Sequence, residues 1–430
     1  MGTVIGVSAV TVAVMILGIL RFPKIGRLSS YWVIALTGAA ALVLLGQISP
    51  RHIAQALLCD SAINPLKILV LFLSMTILSI YLDELGFFRY LANVTLRKAR
   101  TSQLKLFVYL YLTVSVLTVF TSNDVIILSF TPFICYFSKN AKVNPIPYLA
   151  TEFVAANTWS MALIIGNPTN IYIGTAYGVQ FMDYCRVMFL PTLLAGCVSF
   201  LLLLLLFRGS LMEPITGTPQ NIAISDRLNF SVGLAHLAVC TVFLALSSYV
   251  GLEMWAVSGV AVLSLFAVSL VIALVRCRRP QGLLACLKRA PWQLIPFLLS
   301  MFVMTMALAD NGVTRVIGNA LGSDAVLLKY GAASFLGANV INNIPMSVLF
   351  CGIMEPLEAD ALQKAVYATI AGSNVGAFLT PIGALAGIMW SSILNSHGLK
   401  FGYLDFLKIG LVAAVPALLA ALAGLALVMH

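Results

Sequence analysis

Charged side chains are scarce in this sequence. Only 9% of its 430 residues are Asp, Glu, Lys or Arg, whereas 61% are hydrophobic. A soluble domain carries about 25% charged residues, so water is not the solvent for most of this surface. The longest polar stretch, about 208–227, is too short to fold alone, and apolar runs of bilayer-spanning length recur from end to end. The composition therefore predicts an integral membrane protein.

Motifs for metal binding, disulfide pairing and hydrolysis are also missing. The eight cysteines stand singly and none has CxxC spacing, which indicates neither a disulfide framework nor a metal site. The chain has no HExxH, GxSxG or Walker A motif. We therefore predict no enzymatic activity, no cofactor and no metal site, and any ATP dependence would need a separate subunit.

The net charge of +10 is concentrated in short loops. Basic residues crowd into 89–105 and 276–289, and Arg21 follows the first apolar run directly. Short basic loops remain in the cytoplasm during insertion, so this placement indicates a membrane orientation and not a nucleic-acid partner. It places both termini outside the cell. The lipid bilayer and a small-molecule or ion substrate are the predicted partners.

Three short similarities recur in the same order in the two halves of the chain. They pair 73–89 with 299–315, 121–132 with 340–350, and 160–170 with 373–383. Their offsets drift smoothly, which favours a duplication. Each half has five predicted spans, so the second would enter the membrane from the opposite side, and inverted repeats are typical of secondary transporters. The predicted division is a first repeat over 1–207, a cytoplasmic linker over 208–228 and a second repeat over 229–430.

The predicted fold class is all-α, with five spans, one re-entrant hairpin and one discontinuous helix in each repeat. The spans are 4–20, 31–48, 66–85, 146–178, 187–207, 229–247, 254–275, 291–309, 362–394 and 406–428. Segments 104–137 and 325–355 each hold two short apolar helices around a polar centre, with similar flanking charges at both ends. Such segments are predicted to enter and leave the membrane on the same face.

The polar centres of the two hairpins are the first candidate site residues: Thr121, Ser122, Asn123 and Asp124 in one, Asn342 and Asn343 in the other. Irregular backbone at membrane depth is tolerated only inside protein or beside a wet cavity. Helix N-termini there suit an anion, whereas Asn carbonyls suit a cation. The alternative is that these side chains only cap the hairpin helices.

The other candidates interrupt the spans 146–178 and 362–394, where Gly and Pro open the backbone and polar residues flank the break. They are Gly166, Asn167, Asn170, Ser373, Asn374, Thr380 and Gly383. An ordinary proline kink is the alternative. Together with the hairpin tips, they predict a substrate or ion site near mid-bilayer, where broken helices from both halves meet.

Asp124 is the predicted proton-coupling residue, because an ionisable group within a span is costly to bury and is usually functional. A capping role for its carboxylate is the alternative. Glu152 is a weaker candidate, predicted to lie towards the lipid headgroups.

At these motifs the chain resembles the ion transporter superfamily, in particular the bacterial arsenite permeases. The resemblance covers nearly all 430 residues and rests on specific passages: 122–132, Arg289-Ala-Pro-Trp-Gln293, Asn342-Asn-Ile-Pro345, 372–376 and 380–390. Arsenite permeases tend to carry an acid where this chain has Asn157 and a proline where it has Ala377.

The resemblance implies arsenite or antimonite efflux across the bacterial inner membrane, driven by the proton motive force, sometimes with an attached ATPase. A homodimer is a further expected arrangement. Two other functions stay open, a carboxylate or other oxyanion permease coupled to sodium or protons, and a sodium/proton antiporter.

Overall fold

The computed structural model describes residues 1–21, 24–25, 28–59, 64–99, 102–215, 226–399 and 401–429. Over these residues the fold is almost entirely helical, which confirms the predicted class. The strands described there, β1 (Lys24–Ile25) and β2 (Leu28–Ser29), form one short antiparallel hairpin. Residues 216–225 of the predicted linker lie outside the described residues.

Long apolar helices alternate with short connecting helices along the chain. In order they are α1 (Gly2–Arg21), α2 (Ser30–Leu44), α3 (Pro50–Leu58), α4 (Pro65–Glu84), α5 (Phe87–Ala99), α6 (Gln103–Phe120), α7 (Asn123–Ala141), α8 (Ile146–Trp159), α9 (Pro168–Ala176), α10 (Phe181–Phe207), α11 (Arg227–Val250), α12 (Met254–Val275), α13 (Gln281–Arg289), α14 (Leu294–Asp310), α15 (Val313–Leu321), α16 (Val326–Ile341), α17 (Asn343–Met354), α18 (Ala359–Gly376), α19 (Leu385–Ser396) and α20 (Tyr403–Val428). Seven helical stretches in the described residues are long and apolar enough to cross a membrane. Apolar runs fold this way in lipid because a helix pairs its backbone groups internally.

The described α-helices form two series of ten in the same order, α1–α10 and α11–α20. Helices from the two series interleave: α2 packs against α14, and its counterpart α12 packs against α4. Likewise, α7 packs against α19, while α17 packs against α9. The core therefore lies where the two series meet. The sequence patterns did not predict the short helices α3, α5, α13 and α15.

Both series contain two helices around a polar turn, and a break in a long helix, at the predicted positions. Thr121 and Ser122 join α6 to α7, whereas Asn342 alone joins α16 to α17. The breaks are equal in length, because 160–167 separates α8 from α9 and 377–384 separates α18 from α19. The 18 residues of α6 rise about 27 Å, close to the thickness of a bilayer core. The re-entrant geometry of this pair stays a prediction.

Polar and charged side chains join the ends of helices from different series. His52 Nδ1 lies 3.0 Å from Asp310 Oδ2, which links α3 to the end of α14. Lys67 Nζ lies 2.6 Å from Glu253 Oε2 and joins the start of α4 to the start of α12. At the other end of α4, Arg289 Nη1 lies 2.5 Å from Asp83 Oδ2. These contacts fix which helix ends lie side by side.

Candidate functional site

The turn that joins α6 to α7 leaves polar atoms without hydrogen-bond partners inside the protein. Asn123, 1% exposed, opens α7 and donates a hydrogen bond from Nδ2 to Asn157 Oδ1 at 3.0 Å. Thr121 donates to the Leu117 carbonyl at 2.7 Å. Ser122 Oγ and Asn123 Oδ1 are buried and have no hydrogen-bond partner among the described residues. Buried polar atoms are nearly always paired, so these two mark a place for a ligand, ion or water.

The turn that joins α16 to α17 is hydrogen-bonded to the break between α18 and α19. Asn342 adopts a left-handed backbone conformation with φ of 73°, which costs a non-glycine residue about 1 kcal/mol or more. Its Nδ2 donates to the Ile382 carbonyl at 2.9 Å, and the Asn343 N–H donates to the Gly383 carbonyl at 3.0 Å. Asn343 Oδ1 is buried with no partner in the described part of the chain.

Asn374 joins the two broken helices. Its Oδ1 accepts hydrogen bonds from Ser160 Oγ at 2.9 Å and from Asn167 Nδ2 at 3.0 Å. Its Nδ2 donates to Asn170 Oδ1 at 2.6 Å, and Asn170 Nδ2 donates in turn to the Ser160 carbonyl at 2.8 Å. The α8–α9 break is therefore held to α18 by side-chain amides. The structure brings together three of the predicted residues here.

The two predicted glycines allow close backbone packing and offer no side chain to a solute. A Cβ on Gly166 would lie 2.2 Å from the Ser160 carbonyl oxygen, and one on Gly383 would lie 2.6 Å from that of Gly376. Thr380 donates to Asn339 Oδ1 at 2.7 Å and joins the second break to α16. Ser373 Oγ, in contrast, is buried with no partner among the described residues.

Asp124 faces a cavity of about 570 Å³ between α2, α4, α7, α19 and the segment joining α13 to α14. Its polar lining comprises Tyr31, Thr76, Asp124, Lys288, Arg289, Gln293 and Ser392. Asp124 is partly exposed, and within the described chain it makes no hydrogen bond or ion pair. Ser122 occupies the N-cap position of α7. The alternative in which Asp124 caps the helix is therefore not what the structure has.

Glu152 lies inside the protein, so its predicted position towards the headgroups is wrong. Its side chain is 0% exposed, and Thr131 Oγ1 lies 2.9 Å and 3.1 Å from its two carboxylate oxygens. Thr131 follows Asp124 by two turns of α7, about 10 Å along the helix. The apolar run Phe153–Ala156 beside Glu152 could have indicated this burial. An acid within an apolar span has no adjacent polar surface to place it in water.

The two cysteines on the helices that follow the polar turns, α7 and α17, do not line the cavity at Asp124. Cys135 and Cys351 are buried, and neither lines the cavity at Asp124. The Cys351 carbonyl accepts a hydrogen bond from Tyr177 at 2.5 Å, a contact between α17 and the end of α9. No group of three or more His, Cys, Asp or Glu side chains in the described residues could hold a metal ion.

Comparison with known proteins places this arrangement among membrane transporters. The chain matches the citrate transporter family over residues 13–372. The arsenical pump membrane protein of Escherichia coli K12 is 27% identical over 377 residues, which cover 83% of this chain and 85% of that protein. A 46 kDa membrane protein of Mycobacterium leprae is 25% identical, with 97% of each chain covered.

A solved structure shares the fold. The YdaH transporter of Alcanivorax borkumensis, whose crystal structure was described as having an unusual topology, superposes with a TM-score of 0.55 at 14% identity. The match covers 91% of this chain and 88% of that one. With its seven membrane-length helical stretches and this family match, the chain is a multi-pass membrane transporter that belongs to the citrate transporter family.

Proposed function

We propose that this chain is a secondary active transporter that moves a small anion or its neutral acid across the bacterial inner membrane. The leading activity is proton-coupled efflux of arsenite or antimonite. The observation that carries the proposal is the chemistry of the candidate residues: unpartnered amide and hydroxyl oxygens at the α6–α7 and α16–α17 turns, and Asp124 as a carboxylate that faces a cavity. An ATPase subunit or a second copy of the chain stays a predicted partner.

The unpartnered atoms of the site match a neutral acid. Asn123 Oδ1 and Asn343 Oδ1 can only accept hydrogen bonds, and Ser373 Oγ can accept as well as donate. Arsenite at neutral pH is an uncharged trihydroxyl acid, which supplies donors. A polycarboxylate supplies hydrogen-bond acceptors and negative charge. The α6–α7 and α16–α17 turns offer no cationic side chain to balance that charge. Asp124 would carry the proton that exchanges for the solute.

A carboxylate or other oxyanion permease is the second candidate. The family match favours it, as does Lys288, which is exposed, lines the cavity and makes no ion pair within the described residues. Sodium coupling or sodium/proton antiport is a third candidate, because the unpartnered oxygens would also suit a cation. Transport measurements in proteoliposomes separate these activities.

We further propose that residues 1–207 and 229–430 are inverted repeats joined by a cytoplasmic linker over 208–228, with both termini outside. The contacts between helix ends support this arrangement. The pairs His52–Asp310 and Lys67–Glu253 join ends that the charge pattern assigns to the outside. The pair Arg289–Asp83 joins ends assigned to the cytoplasm. No such pair in the described residues joins ends assigned to opposite faces.

Transport by the purified chain in proteoliposomes tests the function. We expect arsenite and antimonite to move when a proton gradient is imposed, and the flux to stop when an ionophore collapses that gradient. Protein-free vesicles and a sodium gradient alone are the controls. Citrate movement without arsenite movement would replace the leading activity with the second candidate, and sodium/proton exchange without either solute would replace it with the third.

The two buried cysteines are predicted not to bind the solute, although arsenic(III) favours thiolate ligands. A transporter needs weak, reversible binding, and Cys135 and Cys351 both lie outside the Asp124 cavity. The double change Cys135→Ser and Cys351→Ser should therefore keep arsenite flux within about twofold of the unmodified protein, as expected for swaps away from the site. Loss of flux in a protein that still inserts and folds would contradict this prediction.

A further inference from the structure

A second polar cavity, about 390 Å³ in volume, lies where α11 begins and α12 ends. It is lined on one side by Tyr81 of α4 and by Leu85, which follows that helix, and on the other by the segment that leads into α13. We call it the arginine pocket and define it by Asp226, Asn229, Arg276, Arg278, Arg279 and Gln281. None of these residues lines the cavity at Asp124.

Two of the three arginines make no ion pair among the described residues, and Glu84, a further carboxylate of the lining, is paired with Arg289 Nη1 at 2.9 Å. Arg276 Nη1 lies 3.2 Å from Asp226 Oδ2, so these two charges are paired. Burial alone would raise the pKa of Asp226, but hydrogen bonds from Asn229 and the Arg276 guanidinium outweigh it and hold that pKa below its usual value. Arg278 and Arg279 are exposed and make no ion pair within the described chain. Residues 216–225, which precede Asp226, contain no charged side chain.

The backbone at the end of α12 holds the arginines around the pocket. Cys277 adopts a left-handed conformation with φ of 50°. The Arg278 N–H donates to the Ala273 carbonyl at 2.9 Å, and the Cys277 N–H donates to that of Leu274 at 3.0 Å. This pair of bonds is the Schellman ending of a helix. It reverses the chain so that Arg276, Arg278 and Arg279 all line one cavity.

The pocket also offers an unpaired acceptor. Asn229 Nδ2 donates to Asp226 Oδ2 at 2.9 Å, but Asn229 Oδ1 is buried with no partner among the described residues. At the pocket wall, the Tyr81 hydroxyl lies 3.0 Å from Ser269 Oγ. The pocket therefore combines cationic donors for a phosphate with an acceptor for a nearby hydroxyl.

An apolar groove lies further along the same two helices. It has a volume of about 420 Å³ and is lined by residues of α11 and α12 that include Val239, Phe243 and Val260. These three side chains are exposed, as expected of a surface that faces lipid. Asn229 in the pocket and Ala235 in the groove are six residues apart, about 9 Å along α11. A molecule with an anionic head and an apolar chain would place the head in the arginine pocket and the chain in the apolar groove.

We propose that the arginine pocket binds the phosphate headgroup of an anionic phospholipid, with Arg278 and Arg279 on the phosphate and Asn229 Oδ1 on a headgroup hydroxyl. Phosphatidylglycerol supplies both groups. Basic pockets between helices at a cytoplasmic membrane face are suited to such headgroups. The proposal stands apart from the solute site, because the pocket shares no lining residue with the cavity at Asp124.

Lipid titration of the purified full-length chain in detergent tests the proposal. The thermal unfolding midpoint should rise with phosphatidylglycerol and not with phosphatidylcholine, since a ligand that binds the folded state stabilises it. The double change Arg278→Gln and Arg279→Gln should weaken the apparent affinity for phosphatidylglycerol about tenfold or more, because two charge-assisted contacts are lost. Its midpoint in phosphatidylcholine should match that of the unmodified protein, which shows that the variant folds.

The matched control is Arg97→Gln and Lys98→Gln on α5, a second basic pair that the charge pattern assigns to the same membrane face. It should change the affinity less than twofold, on the order expected for diffuse surface charge. Equal losses of affinity in both double variants would attribute the effect to general surface charge and overturn the proposed pocket site. An equal rise in midpoint with inorganic phosphate at the same concentration would overturn the lipid assignment.

Discussion

Replacing Asp124 by Asn should abolish solute flux driven by a pH gradient while the protein still folds and inserts. Asp124 faces the cavity and makes no hydrogen bond or ion pair among the described residues, so the change breaks no contact. Asn has nearly the same volume but cannot bind a proton, and the step that exchanges a proton for solute is lost. We expect gradient-driven arsenite flux in proteoliposomes to fall to the level of protein-free vesicles.

Glu152 supplies the matched control, because it is a buried carboxylate that contacts Thr131 of α7. Glu152→Gln keeps an oxygen that can accept the hydrogen bond from Thr131, so packing should be retained. We expect this variant to keep its dependence on the pH gradient. Wild-type coupled flux in Asp124→Asn would remove the carrier role from Asp124, and loss of coupling in Glu152→Gln alone would transfer that role to Glu152.

The sequence predicts the elements around the site because each has a local physical cause. A run of apolar residues must fold as a helix in lipid, and a polar interruption such as Ser122-Asn123 ends it. Pro168 opens α9, because its missing N–H has no helical partner at the first position, and Asn167 caps the same helix end. These features depend on neighbours in sequence, and the structure has them where they were predicted.

Contacts between distant elements could not be predicted in the same way. The packing of α7 on α19 and of α17 on α9 depends on how the two series meet, which no local pattern encodes. The cavity beside Asp124 likewise takes its lining from α2, α4 and the segment before α14. Lys288, assigned by its charge to a cytoplasmic loop, therefore emerged as a cavity residue only in three dimensions.

Amphipathic short helices were missed for a different reason. The nine residues of α13 place Lys288 and Arg289 in the last turn, and the buried Cys286 Sγ donates a hydrogen bond to the Ile77 carbonyl of α4. Such a segment resembles a polar loop when only span-length hydrophobicity is considered. Its helical period over about two and a half turns is too brief a signal to separate from chance.

Asn374→Ala should destabilise the protein more than any other single amide change at the broken helices. Asn374 accepts hydrogen bonds from Ser160 and Asn167 and donates to Asn170. Its loss leaves buried polar atoms on three residues without that partner, and each unsatisfied atom costs about 1–3 kcal/mol. Ser160 Oγ keeps its bond to the Asn157 carbonyl, and Asn170 Oδ1 keeps a long one from Thr169 Oγ1 at 3.5 Å, so the largest cost falls on Asn167. We expect the free energy of unfolding to fall by about 2–5 kcal/mol.

The measurement is reversible unfolding in mixed detergent, together with gradient-driven flux in proteoliposomes. Asn395→Ala is the control, because Asn395 is an exposed amide at the end of α19 and its removal strands no buried partner. It should change the unfolding free energy by less than about 0.5 kcal/mol, as surface substitutions usually do. In Asn374→Ala, flux should fall in parallel with stability, since the amide holds the α8–α9 break to α18 at the proposed solute site. Wild-type stability with lost flux would instead assign Asn374 to solute contact, and wild-type values for both would show that the amide bridge has no role.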